Sequence, residues 1–284
     1  MARIGVMLKR EVPPSDLIAH ARRHRHGFDE LWVVEDLPYA GGISQAAAVL
    51  ASTADVVVGH GIAPAPFRNP AALAMEWATL AEMFPGRFVA GIGHGVQPWM
   101  DDVGARARSP LTLLEETHAA VTGLLAGQHV DVDGEYVRLR DVALAHPPTH
   151  APRVSLGVTG PRSLALAGAV AAGTILAEGH GPAQIAGARE HLAAGAARAG
   201  RSIADHDLTV FAAIHVGDPA AMAPRNPEAP TTWEAIGDDP DVVARQLATL
   251  VDAGADSIVL NCLGADLDDQ LRLVATEVLP ALRA

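Results

Sequence analysis

The sequence predicts a single (β/α)8 TIM barrel spanning residues 1–284, with insertions after strands 4 and 7 and a small hairpin near residues 129–139. Three observations lead there. Eight short apolar or β-branched runs recur along the chain, segments of helical period separate them, and 284 residues suit one closed barrel, which uses about 250. Strands that alternate with helices make a parallel sheet, which must be covered on both faces or closed on itself. Eight such units favour closure.

In chain order the strand candidates are residues 4–8, 31–34, 56–61, 88–92, 154–158, 174–177, 208–216 and 257–260. The clearest helix carries Leu73, Trp77, Leu80 and Phe84 at i, i+4, i+7 and i+11, one face of a 3.6-residue period. Asn69-Pro70, Ser109-Pro110 and Asp239-Pro240 each put a side-chain acceptor before a proline suited to the first helical turn. Gly127 and Gly254 fit the corresponding helix exits. Residues 93–108 follow the fourth strand, where barrel enzymes carry functional loops. Residues 129–139 contain Asp133-Gly134, which reads as the two-residue turn of a hairpin decorating the barrel. Residues 217–237 hold Pro219, Pro224, Pro227 and Pro230 and are expected to form a surface loop or lid. No linker divides the chain into two domains.

Composition excludes several function classes. A formal charge of −12, from 21 basic and 33 acidic residues, opposes a phosphate-backbone partner, so no nucleic acid is expected. Cys262 stands alone and forms no internal disulfide, and Met1 leads into a strand-like segment with no apolar signal region, which reads as cytoplasmic. No apolar run approaches the roughly 20 residues of a membrane helix. With aromatic residues at 4 %, the core must come largely from Val, Leu, Ile and Ala.

Candidate chemistry collects at the strand ends, where a barrel presents its catalytic groups. The second strand ends in Glu35-Asp36, readable as a general acid or base in a pocket or as a solvated acidic pair. The third runs through Gly59-His60-Gly61-Ile62, whose glycines permit a turn or the close approach of a flat ligand. The fourth continues as Gly93-His94-Gly95-Val96 without the spacing of a dinucleotide loop. Thr159-Gly160-Pro161-Arg162 opens a helix whose free amides and guanidinium suit a phosphate, and Glu178-Gly179-His180 brings a second donor to the same side. His24-Arg25-His26 closes an arginine-rich helix, so it is read as a helix terminus and no metal site is expected. Trp32 and Trp77 are expected to pack, whereas Trp99 lies where it can meet a ligand.

Glu35-Asp36, the stretch from Gly59-His60-Gly61-Ile62 to Arg68-Asn69-Pro70, and Pro85-Gly86-Arg87-Phe88 running into Gly91-Ile92-Gly93 together resemble the bacterial luciferase-like monooxygenase superfamily. Agreement resumes at Gly160-Pro161-Arg162-Ser163-Leu164 and covers most of the barrel. Within the superfamily the chain is similar to the deazaflavin-dependent branch, which includes methylenetetrahydromethanopterin reductase-like proteins. The resemblance implies an oxidoreductase that moves hydride between coenzyme F420 and a small organic substrate. It further implies a non-prolyl cis peptide at Gly61-Ile62 behind the ring, with Asp36 and Glu35 as the polar pair beside it. The implied cofactor contacts are Gly61, Ile62, Gly93, His94, Thr159, Gly160, Arg162, Gly179 and His180. Val96 stands where the sugar-phosphate enzyme of the branch has a catalytic glutamate, which argues against that substrate. An FMN-dependent monooxygenase and a catalytically silent flavin-binding protein are the alternatives. Oligomeric state is left open, a homodimer being one option.

Overall fold

The computed structural model describes residues 2–222, 233–264 and 266–283. Eight parallel strands close into a barrel: β1 (Arg3–Leu8), β2 (Glu30–Val33), β3 (Val57–Pro64), β4 (Phe88–Gly93), β7 (Arg153–Gly157), β8 (Gly173–Leu176), β9 (Asp207–Val216) and β11 (Ser257–Cys262). They pair in that order, and β1 with β11 completes the ring. Each predicted run lies on one of these strands, with ends shifted by a few residues.

Outside the barrel lie α1 (Leu17–His24), α2 (Gly42–Ser52), α3 (Pro70–Met83), α4 (Gln97–Asp102) and α5 (Pro110–Leu125). They are followed by α6 (Pro161–Val170), α7 (Pro182–Arg198), α8 (Pro240–Asp252), α9 (Leu267–Leu273) and α10 (Leu279–Arg283). The predicted caps form: Asn69 accepts from the Ala71 amide at 2.9 Å, Ser109 from Thr112 at 3.4 Å and Asp239 from Asp241 at 2.9 Å. Among the described residues no helix is long and apolar enough to cross a membrane.

Inside the barrel the side chains form layers. At the amino-terminal end, Arg3 donates to Glu30 at 2.6 Å and to Asp207 at 2.6 and 2.8 Å, and Ser257 Oγ donates to Glu30 at 3.0 Å. Above them Met7, Trp32, Val34, Ile175, Phe211 and Val259 pack as an apolar plug. The Trp32 indole donates to Glu30 at 2.7 Å and meets Phe211 edge-on at 5.5 Å between ring centroids. A Cβ on Gly59 would sit 2.2 Å from this indole and one on Gly61 2.7 Å from it. Inside the barrel the flat group packed against both glycines is the protein's own Trp32, and Gly61 also lines the cavity above it.

The expected form of the hairpin turn changes. The predicted hairpin exists as β5 (Val130–Asp133) and β6 (Arg138–Val142), but Asp133 pairs directly with Arg138, so four residues turn the chain rather than Asp133-Gly134 alone. The loop closes around the Glu116 carboxylate, which accepts from the amides of Glu135, Tyr136 and Val137 at 2.8 to 2.9 Å. A side chain distant in sequence thus sets the turn, and a local dipeptide rule cannot see it. In the insertion after β9, residues 223–232 lie outside the described residues, so Pro224, Pro227 and Pro230 have no structural account. The described remainder contains β10 (Ala235–Gly237), which extends the sheet by pairing with the end of β9.

Helices α6 and α7 touch backbone to backbone. A Cβ on Gly168 would lie 2.0 Å from the Leu192 carbonyl oxygen, whereas one on Gly187, also in α7, meets nothing within 4 Å. Helix propensity favours alanine over glycine by about 1 kcal/mol at either position. Gly187→Ala is therefore expected to stabilise the fold by up to about 1 kcal/mol in urea unfolding. Gly168→Ala is expected to destabilise it by about 1–3 kcal/mol, because a close backbone contact cannot move aside.

Candidate active site

At the carboxyl ends of the strands the barrel opens into a cavity of about 450 Å³. Met7, Val34, Ile62, Ile175 and Phe211 give it an apolar floor. Ile62 enters because β3 slips register against β4 between His60 and Ala63. The Gly61–Ile62 peptide is cis, as the resemblance implies. Ile62 seats against Gly93 and Gly157, where a Cβ would come within 2.8 and 2.4 Å of its side chain.

Glu35 and Asp36 both line the cavity, in different environments. Glu35 is buried and accepts two bonds from the Arg68 guanidinium, at 2.6 and 2.7 Å, and one from the Gly42 amide at 3.1 Å. His60 Nε2 lies 3.6 Å away. Trp77 Nε1 can only donate and does so to His60 Nδ1 at 3.3 Å, so Nε2 is the nitrogen that carries a proton toward Glu35. Burial on its own would raise the Glu35 pKa, but His60 and Arg68 outweigh it and hold the carboxyl at about 2. Asp36 is partly exposed and bonds Arg10 at 2.8 Å, and the Arg10 guanidinium carbon lies 4.8 Å from the Tyr39 ring centroid and 5.9 Å from that of Trp99. Trp99 itself lines the cavity.

The other candidates divide. Gly93, His94, Thr159 and Gly179 line the cavity, whereas Gly160, Arg162 and His180 are not among its lining residues. His94 is held at both ring nitrogens, by the Pro110 carbonyl at 3.2 Å and Ser163 Oγ at 3.0 Å, and burial lowers its pKa. Thr159, Gly160 and Arg162 are exposed beside the first turn of α6, and His180 Nδ1 donates to the Ala177 carbonyl at 2.7 Å. His24 of the HxH pair bonds Asp268 at 2.6 Å, and His20, His24 and Asp268 form a small cluster between α1 and α9.

Several lining residues escaped the sequence reading: Lys9, Arg10 and Glu11 after β1, and Asn261 on β11. The positional rule applied to strands two to six would have found them, because each is polar and sits at the end of a recognised strand. Trp233 and Glu234 also line the cavity, but they come from a stretch read only as loop.

The structure is thus a closed parallel barrel with an apolar-floored cavity at its carboxyl end, a third-strand bulge beside it and acidic groups lining it. The family described as luciferase-like monooxygenase matches residues 1–233, and the chain belongs to it. The chain is 31 % identical over 218 residues to 5,10-methylenetetrahydromethanopterin reductase of Methanolobus tindarius, covering 75 % of this chain and 66 % of that protein, just under two thirds of its length. It is 29 % identical to an F420-dependent glucose-6-phosphate dehydrogenase of Beutenbergia cavernae, covering 100 % of this chain and 98 % of the relative. The coenzyme F420-dependent tetrahydromethanopterin reductase of Methanopyrus kandleri has the same fold, with a TM-score of 0.86 at 19 % identity and 99 % of each chain covered.

Proposed function

We infer that the chain is a coenzyme F420-dependent oxidoreductase that moves hydride between the deazaflavin and a small organic substrate. The observation that carries this reading is the third-strand bulge, which places Ile62 as an apolar backing in the open end of the barrel. Relatives matching 75 % and 100 % of the chain are named for reductase or F420-dependent dehydrogenase activity.

The residues present fit such a group. The cavity falls within the range of small-molecule sites, and its floor is apolar on the side where a ring would lie. Gly61 and Ile62 would back the ring and Gly93 with His94 would border it. Thr159, Gly160 and Arg162, with Gly179 and His180 after the neighbouring strand, would hold the phosphate-bearing tail. When bound, the deazaflavin supplies a ring carbon that gives or accepts hydride. The protein supplies orientation, exclusion of water and proton handling. Asp36 is the group proposed to exchange a proton with substrate. Glu35 is assigned a supporting role at the same wall: a carboxyl held at about 2 by Arg68 and His60 stays ionised and keeps Arg68 and α2 in place.

The test is parallel equilibrium binding of purified deazaflavin cofactor and FMN. The deazaflavin is expected to bind at least about tenfold tighter, roughly 1.4 kcal/mol. Arg162→Ala is expected to weaken the phosphate-bearing cofactor while sparing a ring fragment that lacks the phosphate, since the guanidinium acts locally through a charge-assisted bond. Tighter FMN binding with reduction by a nicotinamide donor would overturn the cofactor assignment and leave the barrel site standing. Binding of neither would favour a different use of the cavity.

A further inference from the structure

The bulge on β3 occupies one side of the barrel mouth. Four places round the ring from β3 is β9, flanked by β8 and β11, with β1 next. On this far arc the cavity wall turns polar, with Lys9 after β1, Asn261 on β11 and Glu178 after β8. Ala213 of β9 also lines the cavity there. Asn261 Nδ2 donates to Glu178 Oε1 at 3.1 Å, across the β9 position that this small side chain leaves open.

Two groups in this arc make no side-chain hydrogen bond to the described residues, although Glu11 and Glu178 lie near enough to Lys9 to act on its charge. Asn261 Oδ1 is buried with no donor to accept from, and Lys9 Nζ has neither a hydrogen bond nor a carboxylate within ion-pair distance. Unsatisfied buried polar atoms are uncommon in folded proteins and call for an explanation. Lys9 belongs to the same inward-facing row as Met7, and the β1–β11 register, continued past Val6 and Leu260, sets Asn261 level with Met7 and Lys9 one step nearer the mouth. Here a cation, an empty acceptor and a carboxyl edge line one arc of the cavity, across the barrel from the third-strand bulge.

We propose that Lys9, Asn261 and Glu178 form the substrate's polar anchor and that the substrate is a small carboxylate bearing a neighbouring hydroxyl. The carboxylate would pair with Lys9, and the hydroxyl would donate to Asn261 Oδ1. Burial raises the Glu178 pKa above the ordinary carboxylate value, and Asp36 adds to this, which favours a protonated carboxyl able to donate to the same anion. Burial lowers the Lys9 pKa, so an arriving anion would restore the charge that the site's dryness opposes. The arrangement leaves the substrate between the polar arc and the ring side of the cavity. This assignment rests on the hydride-transfer reading for the position of the ring, but not for the binding event itself.

Three probes isolate the contacts: mandelate carries carboxylate, hydroxyl and an apolar ring, phenylacetate lacks the hydroxyl, and phenylethanediol lacks the charge. Their dissociation constants are measured calorimetrically on the full chain, both free and loaded with deazaflavin. The expected order is mandelate tightest in both forms. Lys9→Met removes the cation that pairs with the carboxylate, so it is expected to weaken mandelate and phenylacetate by at least about tenfold. Phenylethanediol affinity is expected to stay unchanged in this variant, which also shows that the variant is folded. Asn261→Leu is expected to remove the preference for mandelate over phenylacetate. Mandelate affinity indifferent to Lys9→Met, or no mandelate binding to the wild-type chain, overturns the proposal. A chain that binds mandelate through Lys9 but takes up no deazaflavin leaves the anchor intact and removes the cofactor reading, so the two failures are distinguishable.

Discussion

Asp36→Asn is expected to lower turnover by about 10²–10⁴-fold, the usual range for a positioned proton-transfer group, while cofactor affinity stays within about twofold. The substitution keeps the shape of the side chain and an oxygen that accepts from Arg10, so the contact at 2.8 Å has a replacement. What it removes is the charge and the capacity to take a proton. Asp36 has the right setting for exchange: it lines the cavity, is partly open to solvent and stands on the wall between Arg10 and the bulge. Steady-state kinetics with the deazaflavin, read beside the cofactor dissociation constant, separates the outcomes. A parallel fall in both quantities would make Asp36 an anchor for Arg10 and would move the proton-handling role elsewhere in the cavity.

Arg68→Ala is expected to cost about 3 kcal/mol of folding stability, toward the lower edge of the range for breaking a buried ion pair because the Arg68 side chain is still 26 % exposed. The variant strands a carboxylate that is 6 % exposed, with the Gly42 amide and His60 left beside it among the described residues. The effect has a pH signature. The folded Glu35 carboxyl titrates at about 2 against an ordinary value of 4.5, so the unfolded chain takes up its proton first on acidification. The stabilisation is therefore complete above about pH 4.5 and is lost as pH falls toward about 2. Urea unfolding of wild type and Arg68→Ala at neutral pH and in this acid window should show the gap between them narrowing as pH drops. Adding Glu35→Gln to Arg68→Ala should recover part of the loss, since the stranded charge disappears. An unchanged neutral-pH stability in Arg68→Ala would remove Glu35 from its supporting role.

The eight strands and the capped helices are legible in the sequence because barrel units are local. Each needs a short apolar run, a helical period and a proline or cap at the join, and residues such as Asn69, Ser109 and Asp239 announce those joins within a few positions. Most of the candidate residues also fall at the cavity or its rim for the same reason, since a strand's carboxyl end in a barrel is a place as well as a position. The hairpin turn is not legible in this way because Glu116 sets it from another element.

The sequence by itself determined the closed barrel, the end at which its chemistry collects, the interruption at Gly61-Ile62 and the luciferase-like resemblance, all carried by neighbours along the chain. Tertiary structure alone decided which polar groups neutralise one another. It gave Glu35 to Arg68 and Asp36 to Arg10, filled the space beside Gly59 with Trp32 and engaged both nitrogens of His94. Among the described residues it left Asn261 Oδ1 and the Lys9 ammonium at the cavity without a hydrogen-bond partner. Partner choice depends on distances of a few ångströms between strands far apart in sequence, and a side chain's charge state and availability follow from that choice rather than from its residue type.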